Sequence, residues 1–516
     1  MLMSYSCDER TGYHGLKPLA REFEGAGFWE LDRAKGNREL LYGYNAKDAA
    51  YTQRLAAGKL NTWLDEEGTR EPYTKLLIPA VNAAKEIQAR GARIDARLLE
   101  HLEEEWGNER DDEKDKMQDV AKASGWPDSL INLNSPKQLS KLLYQIIGLP
   151  GGPSTSKANL DALEGMHPFV DALLEYRHLE HNYKIYLDGF TNQIRRHGSQ
   201  HGRVHPTVKL HGTVTGRRSY SDPAVQTIPR PSNYANKYGK LRQAFIPTND
   251  DYEIAYVDYS RAEIYTAFGY SQDPVMWNAL QKDYHLETAV NVMHKSRERM
   301  ALDADYREEM RRIAKIVTFG ILYGMEDYAL SMTAGISVQE ARDYIEQFFV
   351  TNAKYAKFYR DTLRTLERTG EITSLTGRKR RFVLLTPNPR ALKQAVNFPI
   401  QSTAGDCTLM SLIQLHPMLK QYDSHILFDV HDAIVFEVAK KYRHIVLPLI
   451  TNIMESPKFP DTHPEFPSIP TEAYIGSSWG HAKKIKDVYN LPPPTSMQTR
   501  PRQLMVDRKR TFTVVA

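Results

Sequence analysis

The stretch Arg311–Met325, RRIAKIVTFGILYGM, limits what this chain can become more than any other. Arg311, Lys315, Phe319 and Tyr323 recur every four residues. Each such step along an α-helix drifts by only about 40°, so the spacing predicts one gently spiralling face. That face offers two cations, then an aromatic ring, then a second ring with a phenolic hydroxyl. A core helix puts apolar groups on its main face, and a solvated helix mixes charge signs there. This face suits a ligand with a polyanionic tail and a flat, stackable head, which describes a nucleoside triphosphate. A basic amphipathic surface helix is the competing reading. Gly320 and Gly324 flank the aromatic end. Each costs about 1 kcal/mol inside a helix, which implies close approach or bending there.

Two further stretches read as buried strands that end in acid. In HILFDVHDAIVFEV the apolar runs 426–430 and 433–438 flank His431-Asp432, which predicts a hairpin with that pair in its turn. Ile254, Ala255, Tyr256 and Val257 form a second strand ending at Asp258, with Glu263 at the start of a helix five residues on. A carboxylate at a strand end, beside backbone carbonyls, is a good ligand for Mg²⁺. Two such carboxylates brought together repel unless cations join them. A pair of Mg²⁺ ions would relieve that repulsion and promote in-line phosphoryl transfer. Arg311 and Lys315 would cradle the triphosphate. For one aspartate alone, capping a turn is the ordinary role.

Between these stretches the texture alternates. Residues 71–206 read as helical: LLIPAVNAAKEIQARG stops at Gly91, a long charged helix follows, and Asn134-Ser-Pro136 and Pro153-Ser-Thr-Ser156 are cap signals. From residue 203, β-branched residues and turn formers take over, with Arg217 and Arg218 after a Thr-Gly turn. GRKRRF at 377–382 is a basic cluster, usable for phosphate contact but more ordinarily a solvated loop. QAVNFPIQSTAGD carries Asn397 and Gln401 on a helix expected to break near Pro399. The expected class is α+β and multi-domain.

The 516 residues suffice for several packed lobes, and a net charge of +4 permits nucleic-acid binding without demanding it. Cys7 and Cys407 lie in no metal-binding spacing and read as reduced thiols. The first residues are too polar for a secretory signal, and no apolar run approaches the roughly 20 residues that span a bilayer. A soluble, cytoplasmic protein is expected.

RRIAKIVTFGILYG resembles the O-helix motif of family A DNA polymerases, the family of bacterial DNA polymerase I and several phage enzymes. VDYSRAEIY and VHDAIVFEV resemble its palm motifs, TGRRSYSDPAVQTIP the segment preceding the first of them, and QAVNFPIQSTAGD the helix that meets primer–template. INLNSPKQL, GGPSTS and LLEYRHLE resemble thumb landmarks, all in family order. The resemblance implies a right-hand fold with an antiparallel-sheet palm, helical fingers and a helical thumb. It implies a thumb at 71–206, palm at 207–280 and 385–490, fingers at 281–384 and a flexible basic tail at 491–516. Asp258, Asp432 and the Tyr259 carbonyl are implied ligands of two Mg²⁺ ions, for which Mn²⁺ is an expected substitute. Arg311, Lys315, His285, Phe319, Tyr323 and Glu263 are implied to bind dNTP, with Glu263 as the gate against a ribose 2′-OH. Arg217, Asn397, Gln401 and His431 are implied contacts to primer–template DNA in the minor groove and at the primer terminus.

Departures from the family pattern carry expectations too. Ala433 stands where many relatives have Glu, so modest effects on primer handling are expected. Thr318 replaces the commoner Asn. Phe319 stands where some relatives have Tyr, which predicts discrimination against dideoxynucleotides. Residues 1–70 resemble the C-terminal part of a 3′–5′ exonuclease domain, with Tyr44 and Asp48 matching its third motif. The other metal carboxylates of that motif set are not in this sequence, so no proofreading is expected from the chain alone. Either the region is a truncated remnant or a separately encoded exonuclease polypeptide completes it. A phage source, with the protein in the bacterial host cytoplasm, is the expectation. A single-subunit RNA polymerase and a non-catalytic DNA-binding replication scaffold are the competing functions.

Overall fold

The computed structural model describes residues 1–491 apart from 11, 31–35, 128–129, 198–201, 231–236, 383–388, 458 and 460–464. The expected basic tail therefore lies, but for its first residue, outside the described residues.

Up to residue 197 the chain is mostly helical. Helix α1 (Arg38–Ala57) is capped by Asn37, whose side chain accepts from the Glu39 and Leu40 amides, and it buries only Leu55. It packs with Leu19, Trp29 and Leu60 in a small core of its own. Helix α2 (Ala96–Ala123) starts at Asp95, whose carboxylate accepts from the Arg97 and Leu98 amides. It packs against α3 (Pro168–Asn182), which runs on through wider turns at Tyr183–Asp188 into Gly189–His197. Met117, Leu142, Phe169 and Leu173 close a second core there. The long, highly charged helix read from the sequence is α2, and the cap read at Asn134-Ser-Pro136 is Ser135, with Pro136 in the first turn.

Helix α4 (Ala262–Ser271) is buried over most of its length. Helices α5 (Tyr284–Asn291) and α6 (Ala304–Leu322) pack together, and α7 (Asp327–Ala334) follows. The Arg311–Met325 stretch is thus mostly helix, but it ends earlier than its four-residue spacing implies. Tyr323 is the terminal cap and Gly324 reverses the chain at φ 68°, with the Met325 amide bonded back to the Gly320 carbonyl. Gly324 is therefore not a helix-interior glycine. A Cβ there would also press on Lys393 Cα at 3.0 Å, so both conformation and space require glycine. Gly320 does lie inside, where a Cβ would meet Leu330 at 3.1 Å.

Helix α8 (Pro389–Leu419) runs unbroken through Pro399 and Pro417, against the expected break. A proline inside a helix costs about 3 kcal/mol. α8 is buried along most of its length, and that packing outweighs the cost. The basic run also departs from its reading. Lys379–Arg381 is a strand paired with Glu371–Thr373, Arg378 is buried against Asp406, and Arg381 pairs with Glu9 and Glu67. The run is not a solvated loop, and Arg378 and Arg381 are committed to internal carboxylates.

One antiparallel sheet organises the rest. Its strands are β1 (Tyr252–Tyr259), β2 (His425–Val430), β3 (Ala433–Ala439), β4 (Thr471–Gly476) and β5 (Lys483–Lys484), in the order β5-β4-β1-β3-β2. β2 and β3 form the expected hairpin, with His431 at φ 56° in its turn. All seven residues of β3 are buried.

Candidate active site

The register of β1 against β3 builds the centre of the site. Asp258 lies opposite Ala433, and the Tyr259 amide donates to the Asp432 carbonyl at 3.2 Å. The two aspartates read from separate strands thus become neighbours. On its other side Asp258 lies opposite Glu472 of β4, on the same face. Arg230 donates to Asp258 Oδ2 at 2.7 Å and the Tyr256 hydroxyl at 3.2 Å. Burial, with the charge on Asp432 adding to it, raises the Asp258 carboxyl above its ordinary value, and Arg230 offsets part of this. Asp432 Oδ1 is buried without a hydrogen-bond partner, and Arg217 Nη2 stands 3.5 Å from it.

This donor set fits Mg²⁺. Two carboxylates stand side by side, one with an unbonded buried oxygen. Among the described residues no group of three or more His, Cys, Asp or Glu side chains is arranged for a metal. Mg²⁺ is usually held by one or two carboxylates, with substrate phosphates and water completing its shell.

The cation row lies on α6. Arg311 Nε donates to Asp283 Oδ2 at 2.8 Å, while Asp283 Oδ1 caps α5 through the His285 and Leu286 amides. Lys315 is exposed and makes no ion pair among the described residues. His285 is 4% exposed, and its Nδ1 has no partner. Burial, then the charge on Arg311, pushes it down to about 4, so it is neutral near pH 7. Its ring centre is 6.0 Å from that of Phe319, which is 6.0 Å from that of Tyr323.

Glu263 joins the two halves. Its Oε1 accepts from Arg217 Nη2 at 2.7 Å and its Oε2 from the Tyr323 hydroxyl at 2.6 Å. Burial raises this carboxyl despite both donors, and it raises the Tyr323 phenol as well. Asn397 Oδ1 is buried without a partner, and Gln401 is half-buried one turn along α8. At Gly405, a further turn on, a Cβ would sit 3.1 Å from Arg217 Cγ, so α8 and Arg217 pack closely. Burial holds His431 below its ordinary value.

Tyr44 and Asp48 stand apart, on α1. Asp48 Oδ1 accepts from Trp29 Nε1 at 2.7 Å, and Lys17 lies 5.0 Å from the Tyr44 ring centre. Sequence reasoning missed Arg230, Tyr256 and Glu472. The alternation of apolar and polar residues marks strands but does not say which strand lies beside which.

Comparison with known proteins assigns the class. The model of DNA polymerase family A matches residues 96–481, and the chain belongs to that family. It is 30% identical over 478 residues to DNA polymerase I of Bacillus subtilis (strain 168), covering 88% of this chain and 52% of that protein. It is 31% identical over 452 residues to the thermostable DNA polymerase I of Thermus aquaticus, covering 84% and 51%. The chain spans about half the length of the curated relatives it matches. Its fold is similar, with a TM-score of 0.76 and 25% identity, to the POL domain of Pol1 from M. smegmatis in complex with DNA primer–template and dNTP. That match covers 93% of this chain and 81% of the other. The chain thus has the right-hand fold, mostly helical with antiparallel sheets. Among the described residues no helix is long and apolar enough to cross a membrane.

Proposed function

We propose that this chain is a DNA-directed DNA polymerase that extends a primer 3′-OH with dNTPs on a DNA template and releases pyrophosphate. The observation that carries this reading is the pairing of β1 with β3, which sets Asp258 beside Asp432 and its unbonded buried oxygen. Two Mg²⁺ ions, or Mn²⁺, would be held by Asp258, Asp432 and the Tyr259 carbonyl, supplying a lowered pKa for the attacking hydroxyl and neutralisation of the leaving pyrophosphate. Arg311 and Lys315 bind the triphosphate, with neutral His285 beside them as a hydrogen-bonding group. Phe319 stacks by the sugar and base, and Tyr323 holds the templating position until the fingers close. Glu263, fixed from both sides by Arg217 and Tyr323, is the wall that a ribose 2′-OH would strike. Asn397, Gln401, Arg217 and His431 meet the minor groove and the primer end.

The thumb, palm and fingers boundaries read from the sequence belong to this proposal, as do a role in cytoplasmic DNA replication and a phage source; the relatives named above are bacterial. So does the absence of proofreading by the chain alone. Asp48 is engaged by the Trp29 indole. Phe28, Leu40 and Tyr42, 80%, 53% and 63% exposed, suit a separately encoded exonuclease polypeptide; a remnant without a partner is the other outcome.

Extension of a labelled primer–template with Mg²⁺ and dNTPs tests the reading, with rNTPs and a mismatched 3′ end in parallel. Extension by dNTPs alone, with the mismatched end left intact, is expected. Asp432→Asn should abolish synthesis and leave DNA binding intact. Preference for rNTPs would favour the RNA polymerase reading, and binding without synthesis the scaffold.

A further inference from the structure

Arg261 belongs to no role assigned above. It lies three residues past Asp258 and two before Glu263, immediately before α4, with its backbone at φ 59°. A residue with a Cβ rarely adopts that conformation. From there its Nη1 donates to the Lys282 carbonyl at 3.1 Å. Lys282 precedes Asp283, the residue that holds Arg311. Consecutive Cα atoms are about 3.8 Å apart, so the two guanidinium groups are tethered to neighbouring residues at the start of α5. The charges of Arg261, Arg311 and Lys315 all act on His285.

The local charges do not balance. Among the described residues, Asp283 is the one carboxylate bonded to any of these three cations. Glu287, the next acid along α5, is taken by Arg297 at 2.8 Å, with Lys282 at 3.8 Å. Among the described residues Lys315 has no ion-pair partner, and Arg261 has a carbonyl in place of an acid. Three cations against one carboxylate, around a neutral imidazole, make a site for a polyanion.

We propose that Arg261 is a third phosphate-binding cation of the nucleotide site, contacting the outer phosphates of the bound triphosphate and the pyrophosphate product. The proposal rests on the polymerase reading and adds a residue to it. The Lys282 carbonyl is a neutral acceptor that a phosphate oxygen outcompetes, so the guanidinium turns to the ligand without breaking an ion pair. Contacts to the outer phosphates are already made in the bound substrate, so their main effect is on KM, and only the part that strengthens as charge moves onto the leaving pyrophosphate reaches kcat.

The test compares the parent chain with R261Q and R261K, all bound to primer–template. Both variants keep an unbranched Cβ, so the backbone at this position is equally strained in all three. R261Q should raise the KM for dNTP about tenfold and weaken inhibition by inorganic pyrophosphate by a similar factor, with kcat within about threefold; R261K should retain most of both. Unchanged KM and pyrophosphate inhibition in R261Q would overturn the proposal, as would a fall in kcat alone, the mark of a merely structural residue. If the parent extends no primer, the polymerase reading fails. Calorimetric titration of parent and R261Q with inorganic pyrophosphate then still decides: weaker binding by R261Q supports the site, equal binding refutes it. If R261Q does not fold, modification of Arg261 by phenylglyoxal in the parent is read by mass spectrometry. Protection by pyrophosphate supports the proposal, and its absence overturns it.

Discussion

Replacing Arg378 with Met strips one partner from an ion pair shut inside the protein. The side chains of Arg378 and Asp406 are 8% and 0% exposed, and Arg378 Nε reaches Oδ1 at 3.0 Å and Oδ2 at 2.9 Å. Without the guanidinium, Asp406 keeps one hydrogen bond, from Thr376 Oγ1 at 2.5 Å. Breaking a buried pair from one side costs about 3–5 kcal/mol. Arg378 Nη2 has no partner, so the pair is not a full fork and the lower end, about 3 kcal/mol, applies. The pair also packs beside the site. Arg378 packs on Gly216, where a Cβ would lie 2.8 Å from its Cδ, in the turn that delivers Arg217. Asp406 sits on α8 one residue past Gly405, whose carbonyl accepts from Arg218 at 3.0 Å. Urea unfolding followed by circular dichroism should show the loss, and R378M combined with D406L should recover most of it, because a buried pair replaced whole by apolar groups is often neutral. Anisotropy of a labelled primer–template across a salt series supplies the second readout. Loss of a phosphate contact lowers the salt slope by about 0.9, and no change is expected here. A variant as stable as the parent with a shallower slope would refute this account and return the basic run to the DNA.

Three further outcomes are expected. Phe319→Tyr should relax discrimination against dideoxynucleotides by about tenfold or more, the worth of one hydrogen bond; equal ratios of dideoxy- to deoxynucleotide incorporation in variant and parent would refute it. Arg230→Ala removes a cation from Asp258. The Arg230 side chain is 69% exposed and such pairs are worth about 0–1 kcal/mol, so the Mg²⁺ concentration for half-maximal synthesis should fall by at most about fivefold; a rise would show Arg230 acting on DNA instead. His285, held at about 4 against 6.5 in the unfolded chain, stays neutral in the fold, so the unfolded state binds more protons between those values. Stability should therefore be indifferent to this group above pH 6.5 and fall as pH drops from 6.5 toward 4, by about 3 kcal/mol in all. His285→Gln should remove that component from thermal melts across the pH range.

What could be read in the chain beforehand was what short-range physics decides. The four-residue spacing from Arg311 to Tyr323, the hairpin around His431-Asp432 and the cap at Ser135 each depend on residues a few positions apart, and each is present in the fold. The same reasoning erred where a distant partner sets the outcome. Gly324 leaves the helix against Lys393, Pro399 is carried through by burial, and Arg378 turns from a phosphate candidate into the partner of Asp406.

The sequence by itself determined the parts of the site: two acids at strand ends, a row of cations and rings on one helix, and the ordered motifs of family A. Only the tertiary structure decided how they meet. Strand order set Asp258 between Ala433 and Glu472, far away in the chain, and placed Arg230 on it. It also tied Glu263 to Arg217 and Tyr323, and set Arg261 beside a carbonyl, with no carboxylate partner among the described residues. Periodicity along a chain reports which face of an element is buried. Which other element covers that face is settled by packing among residues that local sequence cannot pair.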